Sequence, residues 1–395
     1  MENNKKVIIV LWSDPRAYLA IISASRLLSG RGVPVEIIHR SSGDIKADGD
    51  VDFGAKTELR PVGSGNQGWR DKLDFIGFIF TVIFSIWRSR PLAVIGGNAL
   101  GIAAAFIATR VSPKTVLIYH NFDFNPAAGK KLKFSEKLLQ WLEFSGARKA
   151  DLVIFPHAKR AEVFKEAAKL KQEPLTVMNC YSLGTLKQVT GQLRAMLDSQ
   201  NLHFDRLVVR LGMIGPHHGI EATIRSVLEW QGNWGLILAG FPVERDYLDK
   251  LKELIGQLGL TGKVVILPSV SNSLWNDCLY SAALGISLYE PFNLSHAYMS
   301  GTSQKLNNYF VAGIPSIVSN SADFQDFVSR FATSKMADPS DPHSIAQAVN
   351  SLLSDREEYA RYCRNVRNAF ESEFNFEKQF EPVLNWLFNA KIQVK

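Results

Sequence analysis

Short apolar runs alternate with amphipathic stretches along the whole chain. Residues 7–12 (VIIVLW) follow a charged start, and six apolar residues there predict a buried parallel strand. Residues 16–29 carry apolar side chains at helical spacing until Gly30 and Gly32 stop them. A strand over 35–39 (VEIIH) follows. The stretch 43–70, rich in Gly, Asp and Ser and without a period, predicts a long loop. An apolar helix over 72–88 comes next, then a strand over 93–95 that runs into Gly96-Gly97, and an alanine-rich helix over 100–111. A strand over 115–119 (TVLIY) ends at His120. Helix 134–147, strand 152–155, helix 158–170 and a short strand at 175–178 complete this first series.

The polar stretch 184–202 predicts a linker, after which the alternation starts again. Strands are expected at 207–211, 235–238, 264–267, 285–288 and 316–318, with helices at 219–229, 244–258, 271–284 and 305–311 between them. Helices over 342–354, 357–373 and 377–390 close the sequence. Such alternation predicts an α/β protein of two tandem Rossmann-like units, each a doubly wound parallel sheet, facing each other across a cleft. The expected domains are 1–190 and 200–374, with the terminal helix 377–395 packing back on the first. Ligands of such sheets bind beyond the carboxyl ends of the strands. In the first half those ends carry Ser13-Asp14, Gly96-Gly97, His120-Asn121 and Pro156-His157.

Composition narrows the class. The chain has 395 residues, 46% hydrophobic and 21% charged, which is globular rather than disordered or polytopic. Three scattered cysteines form neither a disulfide framework nor a zinc spacing, so a reducing compartment is expected. The net charge of +7 is too small and too dispersed to call for nucleic acid, and fits an anionic membrane surface or a phosphate-bearing substrate. The uncharged run 75–87 (FIGFIFTVIFSIW) falls short of the ~20 residues a spanning helix needs. It predicts a buried or interfacial helix, with the small residues Gly77, Thr81 and Ser85 toward the sheet and Phe and Ile outward. Arg70, Lys72, Arg88 and Arg90 flank it, and Lys130, Lys131 and Lys133 form a second basic cluster, so a membrane surface is an expected partner.

Several chemistries are excluded by spacing. Neither strand-one loop, WSDPR or GMIGPHHG, carries the dinucleotide fingerprint, and no P-loop lysine follows Gly96–Gly101. His217-His218 lacks a carboxylate or cysteine at ligand spacing, and Asp48-Gly49-Asp50 lies in a polar loop, so no metal site is expected. The informative group is in the second half. Gly301-Thr302-Ser303 precedes the helix that begins with Lys305, which together offer N–H groups, hydroxyls and a cation to a diphosphate. Glu290 ends a buried strand, where a carboxylate can accept hydrogen bonds from sugar hydroxyls. His120, Asp123, Asp14, Arg16, His157 and Arg160 stand at strand ends of the first half as candidate acceptor or sugar contacts. A helix cap is the simpler role for Asp14.

The run 283–319 resembles the GT-B glycosyltransferases, specifically the retaining family 4 group that builds bacterial surface polysaccharides. Tyr289-Glu290-Pro291-Phe292, Lys305-Leu306, Tyr309 and Ala312-Gly313-Ile314-Pro315 match its motif. Leu211-Gly212, Gly219-Ile220, Leu238-Ala239-Gly240, 264–268, Tyr119-His120 and Ala150-Asp151-Leu152-Val153 follow its other landmarks. The resemblance implies a metal-independent hexosyltransferase. It would move a sugar from a UDP- or GDP-type nucleotide sugar to a glycan or lipid-linked glycan with retention, and need no further cofactor. It implies His120, Glu290 and Lys305 as catalytic residues, and Gly212, His218, Thr302, Ser303 and Asn308 as the nucleotide-binding set. The expected location is the cytoplasm, with the inner face of the cell membrane open as a peripheral site. Three positions depart from the family: Asn308 replaces its second glutamate, and Met213 and His218 replace its Arg-and-Lys pair, so only a protonated His218 would restore a charge there. Those departures keep open a non-catalytic partner subunit, and the fold keeps open a sugar-nucleotide epimerase.

Overall fold

The computed structural model describes residues 6–41, 51–63, 65, 69–122, 132–185 and 188–393. Asp48-Gly49-Asp50, Asp123, Lys130 and Lys131 lie outside them. The described chain forms two compact units, one running to Cys180 and resuming at Phe376, the other Tyr181–Asn375.

The first unit opens with β1 (Val7–Leu11), a short 3-10 turn and α1 (Leu19–Gly30), followed by β2 (Val35–Arg40) and β3 (Thr57–Val62). Then come α2 (Trp69–Ser89), β4 (Ala93–Gly97), α3 (Asn98–Ala108), β5 (Val116–His120), α4 (Phe134–Lys149), β6 (Leu152–Phe155), α5 (Ala158–Ala168) and β7 (Leu175–Thr176). The strands pair in parallel in the order β3-β2-β1-β4-β5-β6-β7, with the chain reversing direction between β1 and β4. The stretch expected to be loop thus contains the edge strand β3. Its sequence, TELRPV, is largely exposed and carries Pro61 and charges, which suits an edge and hides it from a search for apolar runs. Gly101 is required where α3 crosses β1, since a Cβ there would lie 2.4 Å from the Val10 carbonyl oxygen.

The second unit holds α6 (Gln192–Ser199), β8 (Arg206–Leu211), α7 (Ile220–Ser226), β9 (Trp234–Gly240), α8 (Arg245–Gln257), β10 (Val264–Pro268), α9 (Asn272–Tyr280) and β11 (Leu284–Ser287). It continues through α10 (Leu294–Ala297), α11 (Gln304–Ala312), β12 (Ser316–Ser319), α12 (Ala322–Phe331), β13 (Ser334–Ala337), α13 (Pro342–Leu353) and α14 (Arg356–Ser372). Its parallel sheet runs β10-β9-β8-β11-β12-β13 and reverses between β8 and β11. Both faces are covered, as the alternation along β8 shows. Val208 joins Ile224, Leu251 and Val349 on one face, and Val209 and Leu211 join Leu193, Cys278 and Tyr309 on the other.

The boundary falls after Cys180, not near residue 190. The expected linker is anchored to the second unit, because the buried Asp277 carboxylate accepts from the Thr190 and Leu193 N–H groups (2.6 and 3.2 Å) and α6 buries Leu193 and Leu197. The final helix, α15 (Phe376–Gln393), belongs to the first unit. It packs on α1, stacks Phe380 6.5 Å from His120 and accepts the Met178 N–H on Gln379.

No helix among the described residues is long and apolar enough to cross a membrane. In α2 the buried stripe is Phe78, Val82, Ser85 and Ile86; Gly77 is exposed and Thr81 half-buried, so only Ser85 of the small residues faces inward. Its hydroxyl donates to Glu36 at 2.7 Å. Leu73, Ile76, Phe80, Phe84 and Trp87 form an exposed apolar stripe.

Candidate functional site

The second unit gathers its chemistry at the carboxyl ends of β8 and β11, where the strand order reverses and ligands of such sheets bind. After β8 the chain turns at Gly212, in the left-handed region at φ +113°. Its carbonyl lies so close to Gly240 that a Cβ on Gly240 would sit 1.9 Å from the oxygen. Ile214 and the loop after β9 then exchange backbone bonds, Ile214 N–H to Phe241 and Val243 N–H to Ile214, which fix this edge.

After β11 the backbone at Tyr289 is held by Ser319, whose hydroxyl accepts the Tyr289 N–H at 2.7 Å and donates to its carbonyl at 3.0 Å. This aims the Tyr289 phenol at the start of α11. There Lys305 Nζ donates to the Tyr289 hydroxyl at 2.9 Å and lies 4.3 Å from the centre of the ring. The same hydroxyl is 2.7 Å from Ser303 Oγ, which caps α11 by accepting the Leu306 N–H and is 3.0 Å from Ser287 Oγ. Lys305 is buried and makes no ion pair among the described residues. Burial, and next the Arg210 charge, push its ammonium well below the usual lysine range.

The turn before α11 differs from the expected open anion cradle. The Thr302 and Ser303 N–H groups both go to the Met299 carbonyl, the Thr302 hydroxyl donates back to the same segment, and Ser303 is fully buried in its cap. The segment's charge is Lys305 alone. The turn itself is held by Asp323, which accepts from the Met299 and Ser300 N–H groups and the Ser300 hydroxyl, each at 2.8 Å.

His218 is corrected as a replacement cation. Its ring is 6% exposed, and burial first, then the Lys305 and Arg210 charges, push it down to about 2, so it is neutral at physiological pH. Its Nδ1 is buried without a partner among the described residues. Met213 is half-exposed and carries no charge. Asn308 is buried, with its carbonyl oxygen accepting from the Tyr181 hydroxyl at 2.7 Å and its amide Nδ2 without a partner among the described residues. It therefore has donors, not an acceptor, left for a sugar hydroxyl.

Glu290 stands at the strand end with one carboxylate oxygen 3.1 Å from His217 Nδ1, while its N–H donates to the His217 carbonyl at 3.0 Å. His217 stacks on Phe292 at 4.3 Å, and His296 meets Phe292 at 4.4 Å and donates from Nδ1 to the Glu290 carbonyl. A carboxylate beside a wall of rings is suited to a sugar, which presents hydroxyls on its edge and C–H groups on its face.

The first unit treats its candidates differently. His120, at the end of β5, is 1% exposed, lies 4.5 Å from Phe122, and has a buried Nε2 without a partner among the described residues. Burial pushes it down to about 3, so it is a neutral core imidazole. Asp14 caps the 3-10 turn by accepting the Arg16 N–H and pairs with the Arg16 guanidinium, the simpler of its expected roles. His157 caps α5, and Arg160 is buried. The described residues contain no cluster of three or more metal-ligating side chains.

Sequence reasoning missed Arg210. It sits in β8 among fully buried Val208, Val209 and Leu211 and is itself 1% exposed. The signal was available: a charged residue inside an otherwise apolar parallel strand (LVVRL).

With this geometry in place, known proteins add context. Residues 198–369, less than half of the chain, match the family model described as Glycosyl transferases group 1. A protein of Methanocaldococcus jannaschii described as an uncharacterized glycosyltransferase is 30% identical over 156 residues, 38% of this chain and 36% of its own length. The match therefore spans about a third of that relative. Anabaena HepE, solved with UDP and glucose, shares the fold at a TM-score of 0.73 and 14% identity, over 98% of this chain and 100% of HepE. A putative UDP-N-acetylglucosamine 2-epimerase from Listeria monocytogenes does so at 0.63 and 11%, over 98% and 97%. The chain thus has the GT-B class of fold, two Rossmann-like units each with a parallel sheet, and its second unit carries the match to glycosyl transferases group 1.

Proposed function

We propose that the protein is a glycosyltransferase that takes a hexose from a nucleoside diphosphate sugar. The observation that carries this reading is Lys305, a buried ammonium held by Tyr289 at the strand-order reversal with no carboxylate among the described residues to neutralise it. A buried cation of this kind is stabilised by an anionic ligand, and a diphosphate is the anion that the fold and the family match favour. As the glycosidic bond breaks, charge grows on the diphosphate, and Lys305 stabilises it more than it does the ground state. Glu290 accepts hydrogen bonds from the sugar, and the Phe292 ring covers its apolar face.

Transfer with retention follows the same layout. The acceptor hydroxyl attacks from the side the diphosphate leaves, and a phosphate oxygen takes its proton. This route requires no second carboxylate at glycosidase separation. Neither a metal nor a further cofactor enters the scheme.

The acceptor is a glycan or lipid-linked glycan, and the first unit carries the feature that favours lipid. A second exposed apolar row, Phe134, Leu138 and Trp141, runs along α4, and both helices pack against α3. Arg70, Lys72 and Arg88 on α2, and Lys133 and Lys137 at the start of α4, supply positive charge beside these residues. An apolar plate with a basic margin suits an anionic leaflet. Flotation with phosphatidylglycerol vesicles checks this: the wild type should co-float, and Phe80→Ser with Trp87→Ser should not.

The donor reading is tested by thermal denaturation with UDP and GDP. A nucleotide at about 100 times its Kd adds ~2.7 kcal/mol, a rise of a few degrees. One of them should stabilise the wild type and not Lys305→Ala; no shift with either sinks the reading. An epimerase, which shares the fold, would convert the sugar nucleotide with no acceptor present, whereas a transferase releases nucleoside diphosphate only when an acceptor is supplied.

A further inference from the structure

Arg210 has no role in the scheme above, yet its position is costly. It lies on β8 at 1% exposure. Among the described residues only its Nη1 has a partner, the Gly212 carbonyl at 3.1 Å; Nε and Nη2 are buried with none there. It makes no ion pair among the described residues, and the groups that feel its charge are the Tyr289, Tyr309 and Tyr247 hydroxyls, Lys305 and His218. None of these is an anion at neutral pH. Glu221 and Glu290 act on the Tyr247 hydroxyl, but neither pairs with Arg210, and a buried guanidinium without a paired anion is unfavourable unless something negative enters.

Arg210, Lys305 and His218 are electrostatic neighbours of one another at one place, the carboxyl ends of β8 and β11. Gly212 lies between the strand and Lys305, and even a Cβ there would be 3.7 Å from Lys305 Cε. The bond from Nη1 to Gly212 holds the guanidinium plane, and the two remaining donors, Nε and Nη2, form one side of its fork. That side fits two oxygens of a phosphate, whereas Lys305 offers a point charge.

We infer that Arg210 is the second cation of the site, a buried fork that grips one phosphate of the nucleoside diphosphate while Lys305 neutralises the charge that develops on it. This rests on the donor reading, and it assigns phosphate recognition to a strand residue beneath the loop rather than to the loop itself. Arg210 is a binding residue in this account, and its conservative replacement by lysine should restore charge but not the fork.

The rival account is structural, with Arg210 serving only to tether the Gly212 carbonyl. The two differ in the sign of one measurement. Arg210→Met, Arg210→Lys and Lys305→Ala are compared with the wild type by thermal denaturation without ligand and by titration with UDP, GDP and inorganic pyrophosphate. The inference expects Arg210→Met to melt at or above the wild-type temperature when empty, since an unneutralised charge is gone, and to bind the nucleotide at least tenfold more weakly. Arg210→Lys should bind at an intermediate affinity. If Arg210→Met is less stable when empty and Arg210→Lys binds as the wild type does, the tether account holds and the inference is overturned. Arg210→Met binding at wild-type affinity overturns it as well. If Lys305→Ala abolishes binding while both Arg210 variants bind normally, the inference fails and the donor reading stands; if the wild type binds none of the three ligands, both fail.

Discussion

Lys305 Nζ donates a 2.9 Å hydrogen bond to the Tyr289 hydroxyl while sitting 4.3 Å from the centre of the same ring. With lysine as the ammonium, the phenol oxygen accepts from it, and the same hydroxyl is hydrogen-bonded to Ser303 Oγ, 2.7 Å away. The cation is thus aligned by a chain that reaches the cap of α11. Tyr289→Phe should keep the ring contact, lower stability by about 1 kcal/mol for the lost hydrogen bond, and weaken nucleotide binding several-fold. Urea denaturation and calorimetry measure the two effects separately.

Above the pH at which Lys305 of the empty site loses its proton, nucleotide binding should take up protons. Burial and the Arg210 charge hold the Lys305 ammonium well below the usual lysine range in the empty site, whereas a bound diphosphate favours the charged form and raises it. Affinity should therefore fall as pH rises past the value of the empty site. Calorimetry in two buffers of different ionisation enthalpy reads the uptake directly, and Lys305→Met should abolish it.

Acid should destabilise the first unit through His120. Its pKa is about 3 in the folded chain against 6.5 for the free imidazole. Between those values the unfolded state holds one more proton, so stability drops as pH falls, by at most about 1.4 kcal/mol per pH unit. His218, pushed down to about 2, acts with the same sign in the second unit. Urea titrations from pH 7 to pH 4 should show the slope, and His120→Gln should flatten the part belonging to the first unit; an unchanged slope counts against the assignment.

Glu290→Gln keeps the size of the side chain and removes its charge. It alters the 3.1 Å contact with His217 Nδ1, which is half-exposed and contributes little to stability, so the melting temperature should stay within about 1–2 °C. Transfer should slow by about 10- to 100-fold if the carboxylate accepts a sugar hydroxyl, with UDP affinity unchanged. Measuring kcat and nucleotide Kd on the same preparation separates these outcomes.

Gly240→Ala should be among the most damaging single changes in the second unit. A Cβ would meet the Gly212 carbonyl oxygen at 1.9 Å, and the backbone stands at φ +150°. Overpacking and strain together should cost about 2–5 kcal/mol. A circular-dichroism melt reports it, and Gly256→Ala, where nothing lies within 4 Å, is the matched control.

The fold was legible because parallel strands covered on both faces must be apolar runs, and helices between them must show their own period. Glu290 was visible as a candidate for the same reason, since it stands just past the end of such a run, and Lys305 because it follows a Gly-Thr-Ser turn at the start of a helix. The edge strand β3 was not, because an exposed edge selects charge and proline over hydrophobicity. The region 184–202 reads as polar because α6 buries chiefly Leu193 and Leu197, and its anchor, Asp277, lies in a distant helix. The neutrality of His218 comes from its burial first and then from Lys305 and Arg210 converging on it, none of which a local pattern records.

Because α15 belongs with α1 and β5 rather than with the residues that precede it, the first unit is assembled from two stretches of chain with the whole second unit between them. On the ribosome, Phe380, Val383, Leu384 and Leu387 are synthesised only after that intervening unit is complete. A nascent amino-terminal half therefore waits with an uncovered greasy seam, a natural place for chaperone capture. Anyone expressing that half alone would need to graft the missing helix back on to obtain a soluble product.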